Sequence, residues 1–401
     1  IDTHRAGSNS PDTEAKPTFT ITTNRDVLFA AVQKTNLSVE RRNTIPVLAN
    51  LMLEPDEAGK LTIAGTDLDS ALTVATDIDA GDLPAGGITI PGGLLEEILR
   101  KLPAKTDIKL TQDDKSATVI LSSGRSRFTM HTLPGVDWPK FSANGDGTAQ
   151  FVAPAGKLAA MLALTAFAVS TEETRYYLNG IYLHRMEGAI GGEFGLCMVA
   201  TDGHRLATTL LPHPDLPVFP GAIIPRKMVS IMQKILKEAD DEAEVEIEIN
   251  DSRITLRTGT VTITSKLIDG TFPDYKRVIP AGNTNLFRFD VTPLAAASDR
   301  VATISSERGR AVKMDWQEDA IKLSVSNPDT GNAEDETPCV MDSGAPVQIG
   351  FNSKYLAEML DHMEGSAVVE LGDAGSPAKF QPSAREGDEI GVTFVLMPMR
   401  I

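Results

Sequence analysis

The stretch Ile88–Leu102, ITIPGGLLEEILRKL, decides the fold because the chain contains it three times. It returns as AIIPRKMVSIMQKIL at Ala222–Leu236 and, more loosely, as QIGFNSKYLAEMLDHM at Gln348–Met363. Each copy reads as a short strand running into an amphipathic helix. Other segments repeat in step with it. IAGTDLDSALTV from Ile63 is echoed by MVATDGHRLATTLL from Met198 and, more weakly, by LSVSNPDTGNAEDE from Leu323. SGRSRFTMHTLPGVDWPKF from Ser123 matches TGTVTITSKLIDGTFPDYKRV from Thr258, with Pro139 opposite Pro273. The spacing, about 125 to 135 residues, is too long for a solenoid unit and suits whole domains.

Three similar domains in tandem follow. A helix-period stretch comes early in each: NRDVLFAAVQKT from Asn24, GKLAAMLALTAF from Gly156 and TPLAAASDRVAT from Thr292. Alternating runs such as EVEIEI, SRITLRT and TVTITSKL, bounded by Gly, Asp and Asn, read as strands. Each domain is thus two helices on antiparallel sheet, an α+β arrangement. Polar stretches near residues 144–148 and 280–285 divide the chain into domains at 18–147, 148–282 and 283–401. Residues 1–17, IDTHRAGSNSPDTEAKP, have no apolar period and read as a disordered leader or an expression remnant.

Composition excludes several classes. With 41% apolar and 23% charged residues the chain is of the globular kind, and 401 residues call for more than one core. No run approaches the roughly 18 apolar residues of a membrane span, and no signal segment opens the chain, so a cytoplasmic location is expected. Cys197 and Cys339 lie far apart with no CxxC pattern, and read as buried small apolar residues rather than a disulfide or a zinc site. Asp202 and His204 in TDGHR invite a hydrolase or metal reading. No HExxH, GxSxG, Walker or Rossmann motif accompanies them, and the six histidines are scattered. No catalytic residue, metal or cofactor is therefore expected. The residues so far leave open a repeat-built scaffold that binds peptides and, more remotely, a metal-dependent hydrolase.

The formal charge of −17 argues against an all-over basic surface, not against a basic surface confined to one region. On a helix starting at Arg226, Lys227, Lys234 and Lys237 fall at about 100°, 80° and 20° from it. Met228, Val229, Ile231, Met232, Ile235 and Leu236 occupy the opposite arc, from about 140° to 300°. The cationic face suits phosphates, or is an ordinary solvated face; pattern alone leaves both open. The first repeat has Arg100 where the second has Lys234 but adds Glu96, and the third has Lys354 among Glu358 and Asp361.

Eight segments in order settle the resemblance: TIPVLANL from Thr44, GTDLD from Gly65, SGRSRF from Ser123, RYYLNG from Arg175, ATDGHRLA from Ala200, PRK from Pro225, SKLIDGTFPDY from Ser265 and VLMPMRI from Val395. Over about residues 18–401 the chain resembles the beta-subunit family of bacterial DNA polymerase III, the sliding clamps. The resemblance implies a non-enzymatic homodimer of the DNA clamp fold: a six-domain ring, helices lining the inside and sheets outside. Such a ring encircles double-stranded DNA without sequence specificity and tethers the replicative polymerase, the clamp loader and other proteins carrying a short motif.

The same resemblance implies site residues. Arg42, Tyr177, Arg226 and Lys227 match DNA-near positions, and the helix reading adds Arg100, Lys234 and Lys354. A groove between the second and third domains would use Arg175, Leu178, Thr201, Gly203, His204, Arg205, Leu206, Pro273, Arg277, Val278, Tyr355, Val395, Met397, Pro398, Met399 and Arg400. Its rim near Ser376 and Pro377 varies in the family. Adaptable methionines suit a pocket that serves several partners. For ring closure, Arg125, Arg127 and Phe128 would meet Ile304, Glu307 and Asp329 across paired sheet edges. One departure stands out: Glu172 occupies a loop position where some members carry a DNA-touching Gln, and an acid there repels phosphate.

Overall fold

Asn24 ends the strand Pro17–Asn24 and opens helix α1 (Arg25–Thr35). Its side-chain oxygen accepts the Asp26 amide at 2.9 Å, satisfying one donor that a helix start leaves without a partner. The computed structural model describes residues 17–40, 44–113, 117–139, 148–187, 194–305, 311–383, 387 and 389–400. Within them the strand-to-helix step recurs at α2 (Gly92–Lys101), α3 (Ala155–Ala166), α4 (Arg226–Lys237), α5 (Val291–Ala302) and α6 (Ser353–Leu360). These six helices coincide with the six periodic stretches of the sequence. Pro91, Pro154 and Pro225 stand just ahead of α2, α3 and α4 with extended backbone, ψ 108°, 138° and 144°. There a missing amide hydrogen costs nothing that the helix needs. The helices pack in pairs, α1 on α2, α3 on α4 and α5 on α6.

The chain divides into two compact units, residues 1–143 with 259–264, and residues 144–258 with 265–401. In the first, strands Pro17–Asn24, Asp107–Asp113, Thr118–Ser123 and Ser126–His131 form an antiparallel sheet in that order. Ser126–His131 is its edge. A second antiparallel run in this unit orders Ser70–Asp79, Lys60–Thr66, Asn50–Pro55, Ile88–Pro91 and Leu133–Pro134.

The second unit holds the second and third repeats, joined in one twelve-stranded sheet. From the second repeat come Ala222–Pro225, Gly180–Met186, Gly195–Thr201 and Arg205–Pro212. The seam is Arg205–Pro212 against Gly391–Leu396, with Arg205 opposite Leu396 and Leu206 opposite Val395. Ala378–Pro382, Ser366–Leu371, Asn285–Asp290, Gly331–Ser343, Ala320–Asn327, Ala311–Trp316 and Val347–Asn352 then continue the sheet. The C-terminal strand of the third repeat thus completes the sheet of the second.

Packing follows from alternation. Glu244–Ile249 buries Val245, Ile247 and Ile249 and leaves Glu244 and Glu246 outside. Trp316 is fully buried against Phe287 and Phe289, ring centroids 5.3 and 5.6 Å away, at the centre of the third repeat. Both cysteines are buried and unpaired. No helix among the described residues is long and apolar enough to cross a membrane.

Helix α4 buries Met228, Val229, Ile231, Met232, Ile235 and Leu236, the arc that helical geometry assigned to packing, while Arg226, Lys227, Lys234 and Lys237 are exposed. Ile235→Ala is expected to lower the stability of the second unit by about 2–5 kcal/mol through lost burial and a cavity. The adjacent Lys234→Ala is expected to change it by less than about 0.5 kcal/mol. Urea unfolding followed by circular dichroism checks both, and comparable losses would mean the helix faces are misassigned.

Candidate functional site

Two hairpin turns with the same chemistry explain the TDGHR segment. In the first repeat Thr66 Oγ1 donates to Ser70 O at 2.7 Å and accepts from Leu68 N at 3.1 Å; Asp67 Oδ1 accepts from the amides of Asp69 and Ser70. In the second, Thr201 Oγ1 donates to Arg205 O at 2.6 Å and accepts from Gly203 N at 3.1 Å. Asp202 Oδ1 likewise accepts from the amides of His204 and Arg205, at 2.9 and 3.0 Å. Thr201 and Asp202 therefore hold the turn, as short polar side chains do, rather than activate a nucleophile or a metal. Among the described residues no group of three or more His, Cys, Asp or Glu is placed to hold a metal ion.

The third residue of each turn has positive φ, 77° at Leu68 and 89° at Gly203. The glycine matters for a second reason. A Cβ at residue 203 would lie 2.6 Å from Arg175 Nη1, so only a bare backbone lets that guanidinium lie against the turn.

Arg205, one of the residues assigned to the groove, lies beneath the surface. Its residue exposure is only 9%. Its guanidinium pairs with Asp202 Oδ2 at 3.2 Å and with Glu358 of α6, donates to Phe167 O at 2.6 Å, and lies 4.7 Å from the Tyr355 ring centroid. Phe167 follows α3 in the second repeat, and Glu358 and Tyr355 sit on α6 of the third. Arg205 is thus a pin between repeats, with both carboxylates and a carbonyl satisfying its donors. Above it, His204 stacks on Tyr355 with centroids 5.8 Å apart.

Leu178, Leu206 and Val395 are buried together with Cys197, Val199, Ile223, Phe272 and Tyr275, and Tyr177 packs against this cluster. They make an apolar floor. Pro273, Arg277, Val278, Gly203 and His204 are exposed around it, and Arg175 and Thr201 are half-buried. The Pro273–Val278 segment is held from below. The Tyr275 hydroxyl bonds His184 Nε2 at 2.9 Å and lies 3.7 Å from Cys197 Sγ, and Tyr182 stacks on Phe272 at 4.9 Å. Burial pushes the Tyr275 phenol far above its ordinary range and His184 below its own, so this network is neutral around pH 7.

The tail crosses the seam: Met397 N donates to His204 O at 2.9 Å and Met399 N to Gly350 O at 2.7 Å. Met397, Pro398 and Met399 are half-buried and Arg400 is exposed. Ser376 Oγ donates to Asp373 Oδ1 at 2.8 Å.

The basic residues separate into paired and unpaired ones. Arg100 is tied to Glu96, and Lys354 reaches Glu358 Oε1 at 3.7 Å, so each of these cations is partly neutralised on its own helix. Among the described residues Arg226, Lys234 and Lys237 make no ion pair, which leaves α4 as a cationic face. Arg226 and Lys227 border a cavity of about 560 Å³ with Tyr176, Asn179, Pro225, Ser230 and Ile268. Tyr177 packs edge-on against Tyr176 at 5.8 Å. Arg42 lies outside the described residues.

On the edge strand Ser126–His131, Arg127 is exposed and Phe128 half-buried, and Arg125 is exposed in the turn before it. In the third repeat Ile304 O accepts from Asn327 Nδ2 at 3.0 Å and from Thr330 Oγ1 at 2.8 Å, which ties the end of α5 to the turn bearing the exposed Asp329. Glu307 lies outside the described residues. Residues 331–338 of the long strand Gly331–Ser343 pair with Ala320–Asn327, and residues 339–343 pair with Asn285–Asp290. Glu334 and Glu336 are exposed there, while Arg300 binds Asp335 at 2.6 Å and holds its carboxyl below the usual range.

Sequence reasoning missed Glu358 and Phe167, which anchor Arg205, and the His184–Tyr275 pair. Their partners are more than 30 residues away, beyond any local pattern.

The chain matches all three domains of one family: DNA polymerase III beta subunit, N-terminal domain, over residues 19–142, central domain over 153–274, and C-terminal domain over 276–400. A protein named beta sliding clamp from Caulobacter vibrioides is 38% identical over 387 residues, 95% of this chain and all of that protein. One of the same name from Pseudomonas aeruginosa is 35% identical over 96% of this chain and all of its own length. A crystal structure of a sliding clamp from Bartonella birtlesii, bound to griselimycin, superposes with a TM-score of 0.87 at 40% identity over 96% of this chain and all of that one.

Replacing Arg205 tests the pin. Arg205→Ala leaves Asp202 and Glu358 without their shared cation and is expected to lower the stability of the second unit by about 3 kcal/mol. A loss below about 1 kcal/mol in urea unfolding would make Arg205 an ordinary surface pair.

Proposed function

The chain belongs to the DNA polymerase III beta-subunit family, the bacterial beta sliding clamps, and we propose that two copies close head-to-tail into a ring of six domains around duplex DNA. The ring tethers the replicative polymerase and has no catalytic role of its own. The observation that carries the DNA reading is α4, where an exposed cationic face lies opposite a wholly apolar one in a chain of net charge −17. An acidic protein with one cationic face binds phosphate only where that face looks, and is repelled elsewhere.

Linkage of the ring around the duplex does the holding, so the charges need only weak, sequence-independent contacts. Arg226, Lys227 and Lys234 are the main candidates for these, with Tyr177 and Arg42. Arg100 and Lys354 contribute less, because Glu96 and Glu358 compete for them. As a bacterial replication factor the protein works in the cytoplasm.

Partners, the polymerase and the clamp loader among them, dock a short apolar motif at the seam of the second and third repeats. Leu178, Leu206 and Val395 form the floor, and Arg175, Thr201, Gly203, His204, Pro273, Arg277, Val278, Tyr355, Met397, Pro398, Met399 and Arg400 the walls and rim. Arg205 acts from below by fixing Tyr355 and the turn. Ring closure joins the Ser126–His131 edge of one protomer to the third repeat of its partner. Arg125 and Arg127 approach the acidic Glu334 and Glu336, with Phe128 as the apolar plug and Ile304, Asp329 and Glu307 alongside.

Three measurements test this reading. Sedimentation equilibrium is expected to give twice the chain mass of 43.0 kDa. With a cognate loader and ATP, the protein is expected to stay on nicked circular DNA and to leave once that DNA is linearised; equal retention on both forms would refute linkage. Removal of residues 397–401 is expected to weaken binding of a motif peptide at least tenfold while the dimer mass persists, because the tail bonds to His204 and Gly350 are lost. Unaltered peptide affinity in fluorescence polarisation would overturn the groove.

A further inference from the structure

We propose that Glu172 sets the charge selectivity of the groove by competing with acidic side chains of an incoming peptide for the guanidinium of Arg175. This rests on the groove reading above and adds a residue that lies outside the groove itself.

The loop after α3 runs Ser170–Leu178, STEETRYYL. Glu172 is fastened in it from three sides. Its amide donates to Ser170 Oγ at 3.1 Å, its Oε1 accepts from Thr174 Oγ1 at 2.7 Å, and its Oε2 accepts from Arg175 Nε at 2.7 Å and also from Nη2. The Thr174 hydroxyl and the Arg175 guanidinium hold its carboxyl below the usual range. Arg175 breaks the helical run around it, with φ −106° and ψ 53°, and carries its guanidinium back over Gly203 at the lip of the groove.

A guanidinium offers a carboxylate two-point binding along an edge formed by two N–H groups. Glu172 already occupies the edge made by Nε and Nη2, and Thr174 keeps it from swinging away. A peptide carboxylate arriving at the lip meets a guanidinium that is half-satisfied and a resident carboxylate that repels it. A neutral peptide meets neither obstacle. The side chains of Glu172 and Arg175 are 50% and 35% exposed, so water screens both effects and the discrimination is modest.

The test uses the full-length dimer and synthetic ten-residue peptides with fixed Leu and Phe anchors, carrying Asp or Asn in turn at each other position. Fluorescence polarisation reads the affinity ratio of each Asp and Asn pair for the wild type, E172Q, R175Q and the double variant. At one position E172Q is expected to favour the Asp peptide by about two- to fivefold over wild type, while the Asn peptide shifts less than that. The gain should vanish in the double variant and at high salt. Equal shifts for both peptides, no shift at any position, or a gain that survives R175Q would overturn the proposal. Failure of every peptide to bind the wild-type dimer would overturn the groove reading, and the selectivity with it.

Discussion

The pairing of Arg205–Pro212 with Gly391–Leu396 is the constraint on which the second unit depends. Each strand belongs to a different repeat, and each would otherwise be a sheet edge with unpaired amides and carbonyls. Their union makes one sheet of twelve strands and brings Leu206 beside Val395 over a shared apolar cluster. It also puts the TDGHR turn of one repeat next to α6 of the other. The Arg205 pin and the tail bonds at Met397 and Met399 then fix that neighbourhood in detail. A backbone ladder sets the register, and a buried cation links the two repeats beside it.

Charge in this chain is organised by helix rather than by total. Repeats share the strand-to-helix step, yet among the described residues α4 is the helix that gathers Arg226, Lys227, Lys234 and Lys237 on one exposed face. On α2 and α6 the i,i+4 pairs Glu96–Arg100 and Lys354–Glu358 tie down the cations that correspond. The pairs alter what a polyanion meets, and the more exposed one, Lys354–Glu358, contributes little to stability.

Architecture was legible because duplication writes the same pattern three times. Six helices, the opposed faces of α4 and the burial of both cysteines followed from period, spacing and composition, and the structure agrees with each. What was not legible depends on meetings between distant residues. Arg205 was assigned to the groove by resemblance; only the fold shows Phe167 and Glu358 converging on it from 38 positions before and 153 after. Glu334 and Glu336 are a similar case, since only the fold shows that residues 331–338 around them pair with Ala320–Asn327.

The two turns at Leu68 and Gly203 share one hydrogen-bond scheme and one backbone twist, and they differ by a side chain. The first is ornament-free scaffolding that happens to carry an isobutyl group. In the second that group is missing, and a neighbouring arginine fills the vacancy. Specialisation of a tripled framework can therefore proceed by subtraction: taking atoms away at one copy opens a seat that the other copy, equally well built, is unable to offer.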